Sequence, residues 1–288
     1  MQEENPELKK VQELEAELYK ISSGLDNTKA VLYKNSGKKI TGTFGQVVTT
    51  ENGDVEMTYS KFVEGFPVIQ NTQYKAYYTV GGERREEPKV LGTSDILSLI
   101  VDSKQQTCAD TQVEVRALYE LEQLKSGSVD KADFDLGGGN IVEYKSDGTY
   151  TTFDGNKIVK RSYEGQVGEN FEDWLENVQV FTNTGTLRST LTPVSIDNVK
   201  PGDVITIHPD PVTGYGHTMG IKEILEIEVE PGVNKRFFRS FAGSDPAIDA
   251  KIYPDLISED KLRFQLQTGE AQVSAWREEQ PAQLAAAK

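Results

Sequence analysis

The chain contains a single cysteine, and its position in the sequence suits nucleophilic chemistry. Cys108 lies in the stretch QQTCADTQVEVRALYELEQL, in which Thr107 and Asp110 have the spacing of a helix capping box. The first helical position then falls on Cys108, where the unpaired amides and the helix dipole favour a thiolate. We therefore treat Cys108 as a candidate nucleophile. The alternative is a small buried packing residue, as most free cysteines are.

A thiolate nucleophile needs a base, usually histidine, and the chain contains two histidines. His208 ends the predicted strand DVITIH, and we interpret it as a turn residue. His217 opens the strand HTMGIKEILEIEV and shares a face with Met219 and Ile221. This pattern predicts that Cys108 and His217 meet across a cleft, with sulfur and imidazole within about 4 Å of each other. The alternative for His217 is a core histidine that donates to a carbonyl group.

A metal site is a weaker interpretation of the same region. His208, Asp210 and His217 form a plausible ligand set, but this interpretation leaves Cys108 unexplained. One cysteine also excludes an intramolecular disulfide, cysteine-rich zinc sites and iron–sulfur clusters. The sequence therefore predicts neither a metal nor another cofactor.

Composition restricts the class of protein. The 288 residues have a formal net charge of −15, with 36% hydrophobic and 27% charged residues, which is typical of a globular protein. The acidic balance argues against a nucleic-acid partner. No apolar run is long enough for a membrane span, and no signal peptide is visible. The compartment stays open, because a leader could have been removed.

The cysteine helix, the strand PGDVITI and the strand GHTMGI occur in an order that resembles the papain-like amidases and peptidases of the NlpC and CHAP type. A closer resemblance is to an uncharacterised bacterial domain family of mostly exported proteins. That family has a Q-C-A-D helix followed by Arg-Ala-x-Tyr, then a G-T-L segment, a G-D-V strand and a G-H-A-V strand. The matching stretches here are TCADTQVEVRALY, FTNTGTLRSTLTPVSIDNVKPGDVITI and GHTMGI, and they span roughly residues 105–260, about half of the chain.

This resemblance implies roles for individual residues. Cys108 would be the nucleophile and His217 the base. By position the third group, which orients the histidine, would be Arg239, where Gln, Asn, Asp or His is expected. Arginine cannot accept a hydrogen bond from imidazole, so either Ser240 or a backbone carbonyl takes this role or the catalytic site is degenerate. The other matching positions are Asp110, Arg116, Tyr119, Gly202, Asp203 and Gly216.

The elements that would position these residues follow from periodicity and turn signals. Residues 1–29 have the apolar spacing of an amphipathic helix, which packs on its own domain or allows self-association. Residues 30–92 are predicted to be an accessory β region, with hairpin turns at Asn52-Gly53 and Gly81-Gly82. Residues 93–275 are predicted to form an α+β domain of papain-like type, a helix on an antiparallel sheet. Within it, the stretch from Gly92 to Val101 is predicted to be a short helix capped by Ser94, and residues 276–288 a mobile tail.

The functional expectation has two forms. The first is a cysteine-dependent amide hydrolase, a papain-like peptidase or amidase whose substrate is a peptide or a peptidoglycan-like cell-wall peptide. The second is a non-catalytic papain-like binding or structural module of a bacterial envelope or a virus particle. The acidic charge, the coiled-coil-like start and Arg239 fit the second form, but the first form is the leading hypothesis from the sequence.

Overall fold

The computed structural model of the protein describes residues 49–50, 53–54, 58–78, 84–101, 107–154, 157–163, 165–208, 216–244 and 248–276. The helix predicted for residues 1–29, residues 277–288 of the predicted tail, and Asp210 of the alternative metal site lie outside these ranges.

The described helices and strands alternate irregularly along the chain. The helices are α1 (Tyr59–Gly65), α2 (Cys108–Ser126), α3 (Phe171–Val180), α4 (Thr184–Thr190) and α5 (Glu259–Gln267), with a short 3-10 helix at Ile196–Asn198. The strands are β1 (Thr49–Thr50), β2 (Gly53–Asp54), β3 (Val68–Tyr78), β4 (Arg84–Leu97), β5 (Lys131–Asp135), β6 (Ile141–Lys145), β7 (Thr149–Asp154), β8 (Lys157–Ser162), β9 (Thr192–Pro193), β10 (Val204–Ile207), β11 (His217–Glu230), β12 (Val233–Ser244), β13 (Ile248–Ser258) and β14 (Ala271–Ala275).

The strands form two main antiparallel sheets. The larger has eight strands in the order β3-β4-β13-β12-β11-β10-β14-β9, and the smaller has four in the order β5-β6-β7-β8. β1 and β2 make a separate two-residue ladder in which Thr50 lies opposite Gly53, so Gly53 is in the ladder rather than in the predicted turn. The described residues thus form an α+β mixture of helices and antiparallel sheets.

The large sheet extends across the predicted boundary at residue 92. β3 and β4 pair with each other and also with β13, so residues 68–97 continue the sheet that carries the C-terminal strands. The short helix predicted from Gly92 to Val101 is wrong, because this stretch lies mostly in β4. Ser94, the predicted helix cap, instead donates its hydroxyl to the Ile252 carbonyl at 3.1 Å. Tertiary pairing therefore overrides the local capping signal.

The large sheet is covered on both faces, and this determines how the site is built. The cysteine helix α2 packs against β11 and β12 on one face. On the other face, Ile221 and Phe238 form a buried cluster with Leu262 of α5. α2 is itself almost entirely buried and ends at Gly127, whose φ of 73° is the left-handed conformation that favours glycine.

Candidate functional site

Cys108 is the first residue of α2, as the capping pattern predicts. The backbone N–H and the hydroxyl of Thr107 both donate to Asp110 Oδ2, at 2.7 and 2.8 Å. The cysteine side chain is only 5% exposed, and its Sγ lies 3.9 Å from Thr184 Oγ1 of α4. The sulfur therefore faces a polar contact in the interior, between the start of α2 and the start of α4.

Burial raises the pKa of the Cys108 thiol above its ordinary value. Hydrogen bonds from the Thr218 and Ala109 backbone and from the Thr184 hydroxyl act in the opposite direction, but the cost of taking a thiolate out of water is larger. The expected thiolate at the helix start is thus not favoured here. The dipole of a helix start is worth only a fraction of the penalty for a buried charge.

Thr218, and not His217, faces the cysteine helix. Thr218 Oγ1 donates to Thr184 Oγ1 at 2.9 Å, and Thr184 in turn contacts the Cys108 sulfur. Gly220, two residues along β11, lies so close to α2 that an added Cβ would be 2.3 Å from Gln112 Oε1. Because side chains alternate along a strand, these two positions share the face that α2 covers.

The same alternation directs His217 to the opposite face of the sheet. His217 pairs with Ile207 of β10, and it shares its face with Met219 and Ile221. Met219 and Ile207 both pack against the cluster that contains Leu262 of α5. This row points inward, as the alternation predicts, but it points toward α5. Within the described residues no hydrogen bond joins the Cys108 sulfur to His217, and alternation directs the His217 side chain away from the face that α2 covers.

Arg239 lies far from both residues. It is opposite Glu223 in the β11–β12 register, and its Nε is 3.3 Å from Glu223 Oε1. Glu223 is six residues along β11 from His217, which is roughly 20 Å of strand. Ser240, the other candidate for the third group, is buried opposite Ile221. Neither residue orients His217, and Arg239 is better described as half of a partly exposed ion pair.

The remaining residues of the resemblance on α2 stabilise the fold. Arg116 is 6% exposed and forms an ion pair with Glu120, with Nε 2.6 Å from Oε1. The guanidinium also lies over the rings of Tyr59 and Tyr119, at 4.9 and 5.2 Å from their centroids. The contact of Arg116 with the Tyr59 ring joins α1 to α2.

The Gly-Asp pair before β10 forms the expected structural turn. Gly202 has a φ of 93°, and a Cβ there would lie 2.7 Å from the Tyr59 ring, so glycine is required for both reasons. Asp203 Oδ2 accepts the Lys200 backbone N–H at 2.8 Å and closes the turn. Gly216 directly precedes β11.

The described residues give no metal centre. Among them, no group of three or more His, Cys, Asp or Glu side chains is placed to hold a metal ion. His208 is exposed at the end of β10, where its backbone N–H donates to the Glu270 carbonyl at 2.7 Å.

A surface cleft of about 330 Å³ opens beside the first turn of α2, but the cysteine does not line it. Its walls are Asp110, Asp173, Glu176, Asn177, Gln179 and Val180. Two of the polar lining residues form hydrogen bonds within the protein. The Gln179 side-chain amide donates to the Asp110 carbonyl, and Asn177 Oδ1 accepts the Phe153 backbone N–H.

Sequence reasoning missed Thr184 and Thr218, the two hydroxyl groups that accompany the cysteine. One signal could have found Thr218. A glycine in the middle of a strand indicates a close approach of another element, and Gly220 is two residues from Thr218. Counting in steps of two from Gly220 leads to Thr218 and passes over His217.

Comparisons with known proteins give no relative. No family model matches the chain, and no match was found among curated proteins or among solved structures. In the part of the chain that the structure describes, no helix has the length and apolarity needed to cross a membrane.

We expect acid to destabilise the protein through His217. Burial lowers the pKa of His217 from its ordinary value of 6.5. As the pH falls through 6.5, the unfolded chain binds the proton first, so the free energy of unfolding decreases. His217→Gln should remove this part of the pH dependence, as measured by urea unfolding at neutral and mildly acidic pH.

The matched control for this measurement is His208→Gln, which changes an exposed histidine at the end of β10. The free energy of unfolding of this variant should differ between neutral and mildly acidic pH by as much as that of the wild type. If His217→Gln kept that difference as well, the assignment of the acid sensitivity to His217 would be refuted.

Proposed function

We propose that this protein is a non-catalytic α+β module with a binding or structural role, built on an arrangement that resembles the papain-like amidases. One observation carries the proposal: the strand residue that faces the cysteine helix beside Cys108 is Thr218, and threonine cannot serve as the base that a thiol nucleophile needs. The resemblance would place such a module in a bacterial envelope or in a phage particle.

The state of the thiol supports this proposal. A catalytic cysteine lies in a partly exposed, electropositive surrounding that lowers its pKa. Cys108 is buried, its pKa is raised, and Asp110 lies near it on the same helix turn, where a carboxylate disfavours a thiolate. Its hydrogen-bond partner is a hydroxyl group. These are properties of a small residue that fills a polar interior position.

The resemblance itself is compatible with a structural explanation. Asp110 accepts at the helix start, Arg116 stacks on the α1–α2 interface, and Asp203 closes a turn. Each residue makes a structural contact at its position, so a shared pattern of these residues fits a shared fold and carries no information on activity.

The proposal is tested by a hydrolysis assay on the full chain. Wild type and Cys108→Ala are incubated with cross-linked peptidoglycan and with free stem peptides, and the products are analysed by mass spectrometry. We expect no Cys108-dependent cleavage of an amide bond. Cleavage by wild type that is lost in Cys108→Ala and in His217→Gln, but kept in His208→Gln, would establish the hydrolase instead.

A further inference from the structure

An exposed apolar patch lies where the end of α3 meets the small sheet. We define the apolar patch as Phe153, Ile158, Val180 and Phe181. The rings of Phe153 and Phe181 are 4.4 Å apart, and Phe153 lies opposite Ile158 in the β7–β8 pairing. Val180 is 76% exposed, and Ile158 and Phe181 are exposed as well. Contiguous exposed apolar side chains mark interaction surfaces more often than single ones do.

The surface cleft beside α2 adjoins the apolar patch. Val180 belongs to both, and Asn177 in the cleft wall accepts the backbone N–H of Phe153. Three of the six residues that line the cleft are acidic and none is basic, and we therefore call it the acidic cleft. The acidic residues are Asp110, Asp173 and Glu176.

The negative charge of the acidic cleft comes mainly from α3. Asp173 and Glu176 are three residues apart, so their carboxylates lie on one face of the helix, and neither forms an ion pair among the described residues. α3 ends at Val180, so the negative end of its dipole lies at the cleft as well. Asp110 is in the first turn of α2, where its charge offsets the positive end of that helix. The cleft is thus suited to a cation.

One lysine of the small sheet lies near this cleft. Lys160 is opposite Thr151 of β7, and the Thr151 carbonyl accepts the indole N–H of Trp174 in α3. The ion pairs of the small sheet, within the described part of the chain, join other residues and leave Lys160 out. One lysine near three carboxylates leaves this surface negative.

The kind of cation follows from the spacing of the acceptors. The described carboxylates, with the other metal-ligating side chains, include no group of three placed to hold a metal ion. A guanidinium group is larger and planar and has five N–H donors, so it can engage acceptors that are too far apart for a metal. Gln179 in the cleft wall is buried, and its Nε2 donates to the Asp110 carbonyl and to Glu114 Oε2. Its Oε1 accepts no hydrogen bond within the described residues and adds an acceptor to the cleft.

We propose that the acidic cleft and the apolar patch together bind a segment of a partner protein in which an arginine is flanked by apolar side chains. The guanidinium enters the cleft against Asp173 and Glu176, and the apolar neighbours cover Val180 and Phe181. Arginine and large apolar side chains are the usual anchors of protein interfaces, and each half of this surface matches one of them. Cys108 does not line the cleft, so this binding site and the state of the cysteine are tested independently.

The experiment measures the binding of three matched peptides to the full chain by isothermal titration calorimetry. The peptides have the sequence Gly-Phe-X-Leu-Gly-Ser, where X is arginine, citrulline or glutamate. The arginine peptide should bind, and the citrulline peptide, which keeps the shape but not the charge, should bind at least about tenfold more weakly. The glutamate peptide should not bind to wild type. The variant Asp173→Lys with Glu176→Lys should reverse this order, so that the glutamate peptide binds best.

Two pairs of variants test the rest of the surface. Val180→Ser should weaken binding of the arginine peptide about fivefold without unfolding the chain, whereas Val233→Ser, at an exposed apolar residue of another hairpin, should have no effect. Lys160→Ala should strengthen binding because it removes a repelling charge, and Lys157→Ala, on the opposite face of β8, should leave binding unchanged. Equal binding of the arginine and citrulline peptides, or no binding of any peptide, would overturn the proposal. A wild-type dimer that Val180→Ser dissociates would also overturn it, because the apolar patch would then bind a second copy.

Discussion

Replacing Arg116 with methionine should lower the free energy of unfolding by about 3 to 5 kcal/mol, because it leaves the Glu120 carboxylate charged in the interior. Both side chains of this pair are nearly inaccessible, with exposures of 7% for Arg116 and 5% for Glu120. The substitution also removes the guanidinium from the rings of Tyr59 and Tyr119. Urea unfolding followed by circular dichroism measures the change.

Two controls separate the buried charge from a general effect of the substitution. Lys125→Met removes the cation of the exposed Lys125–Glu122 pair on the same helix and should cost about 1 kcal/mol or less. The double variant Arg116→Met with Glu120→Gln also removes the buried negative charge of Glu120. It keeps a side-chain oxygen that can accept the Asp133 backbone N–H. It should be more stable than Arg116→Met alone. Equal costs for Arg116→Met and Lys125→Met would contradict the buried-pair explanation.

Lys222→Met should lower the free energy of unfolding by about 3 kcal/mol. Lys222 is 7% exposed, and its ammonium group donates to the carbonyls of Val63, Glu64 and Phe66, the latter two at 3.0 and 3.3 Å. These carbonyls lie at the end of α1, and the Val63 carbonyl also accepts the backbone N–H of Phe66 at 3.2 Å. Methionine keeps most of the volume and supplies no donor, so buried carbonyl groups lose their hydrogen bonds. Urea unfolding again gives the measurement.

The matched control for Lys222→Met is Lys235→Met on the neighbouring strand β12. Lys235 forms an exposed ion pair with Asp260, and its loss should cost about 1 kcal/mol or less. If the two lysine substitutions destabilised the protein equally, the capping of α1 by Lys222 would have no special energetic role.

The sequence predicted the local elements of the site better than their mutual placement. The start of α2 at Cys108 followed from Thr107 and Asp110, because a capping box acts within four residues of chain. The antiparallel strands followed from alternating apolar residues and turn signals. Both predictions depend on short-range physics, which a single sequence contains.

Which face of a strand packs against a given helix does not follow from short-range physics. Gly220 and Ile221 are both buried, since the large sheet is covered on its two faces. Period-two alternation identifies the two faces of such a strand but does not say which element covers each one. If the two faces are assigned the wrong way round, His217 is placed opposite α2 instead of Thr218. The choice between a catalytic pair and a structural thiol depends on this assignment.

Arg239 was placed by its position on the next strand, and the pairing of β11 with β12 puts it opposite Glu223, well along the strand from His217. The register between β11 and β12 shifts between Ile221 and Glu223. Bulges of this kind depend on the partner strand and leave no mark in the sequence of either strand alone. The pairing of Arg239 with Glu223 is therefore a property of the assembled sheet.

The central claim, that Cys108 is a neutral structural thiol, is tested most directly by the pH dependence of its alkylation with iodoacetamide in the native protein. Cys108 is the only thiol in the chain, so mass spectrometry reports on it without interference. We predict negligible reaction at mildly acidic pH, an apparent pKa above the ordinary value of 9.0, and the same profile in His217→Gln. Rapid alkylation at mildly acidic pH, with a lowered apparent pKa that rises in His217→Gln, would contradict the claim and restore the cysteine–histidine pair.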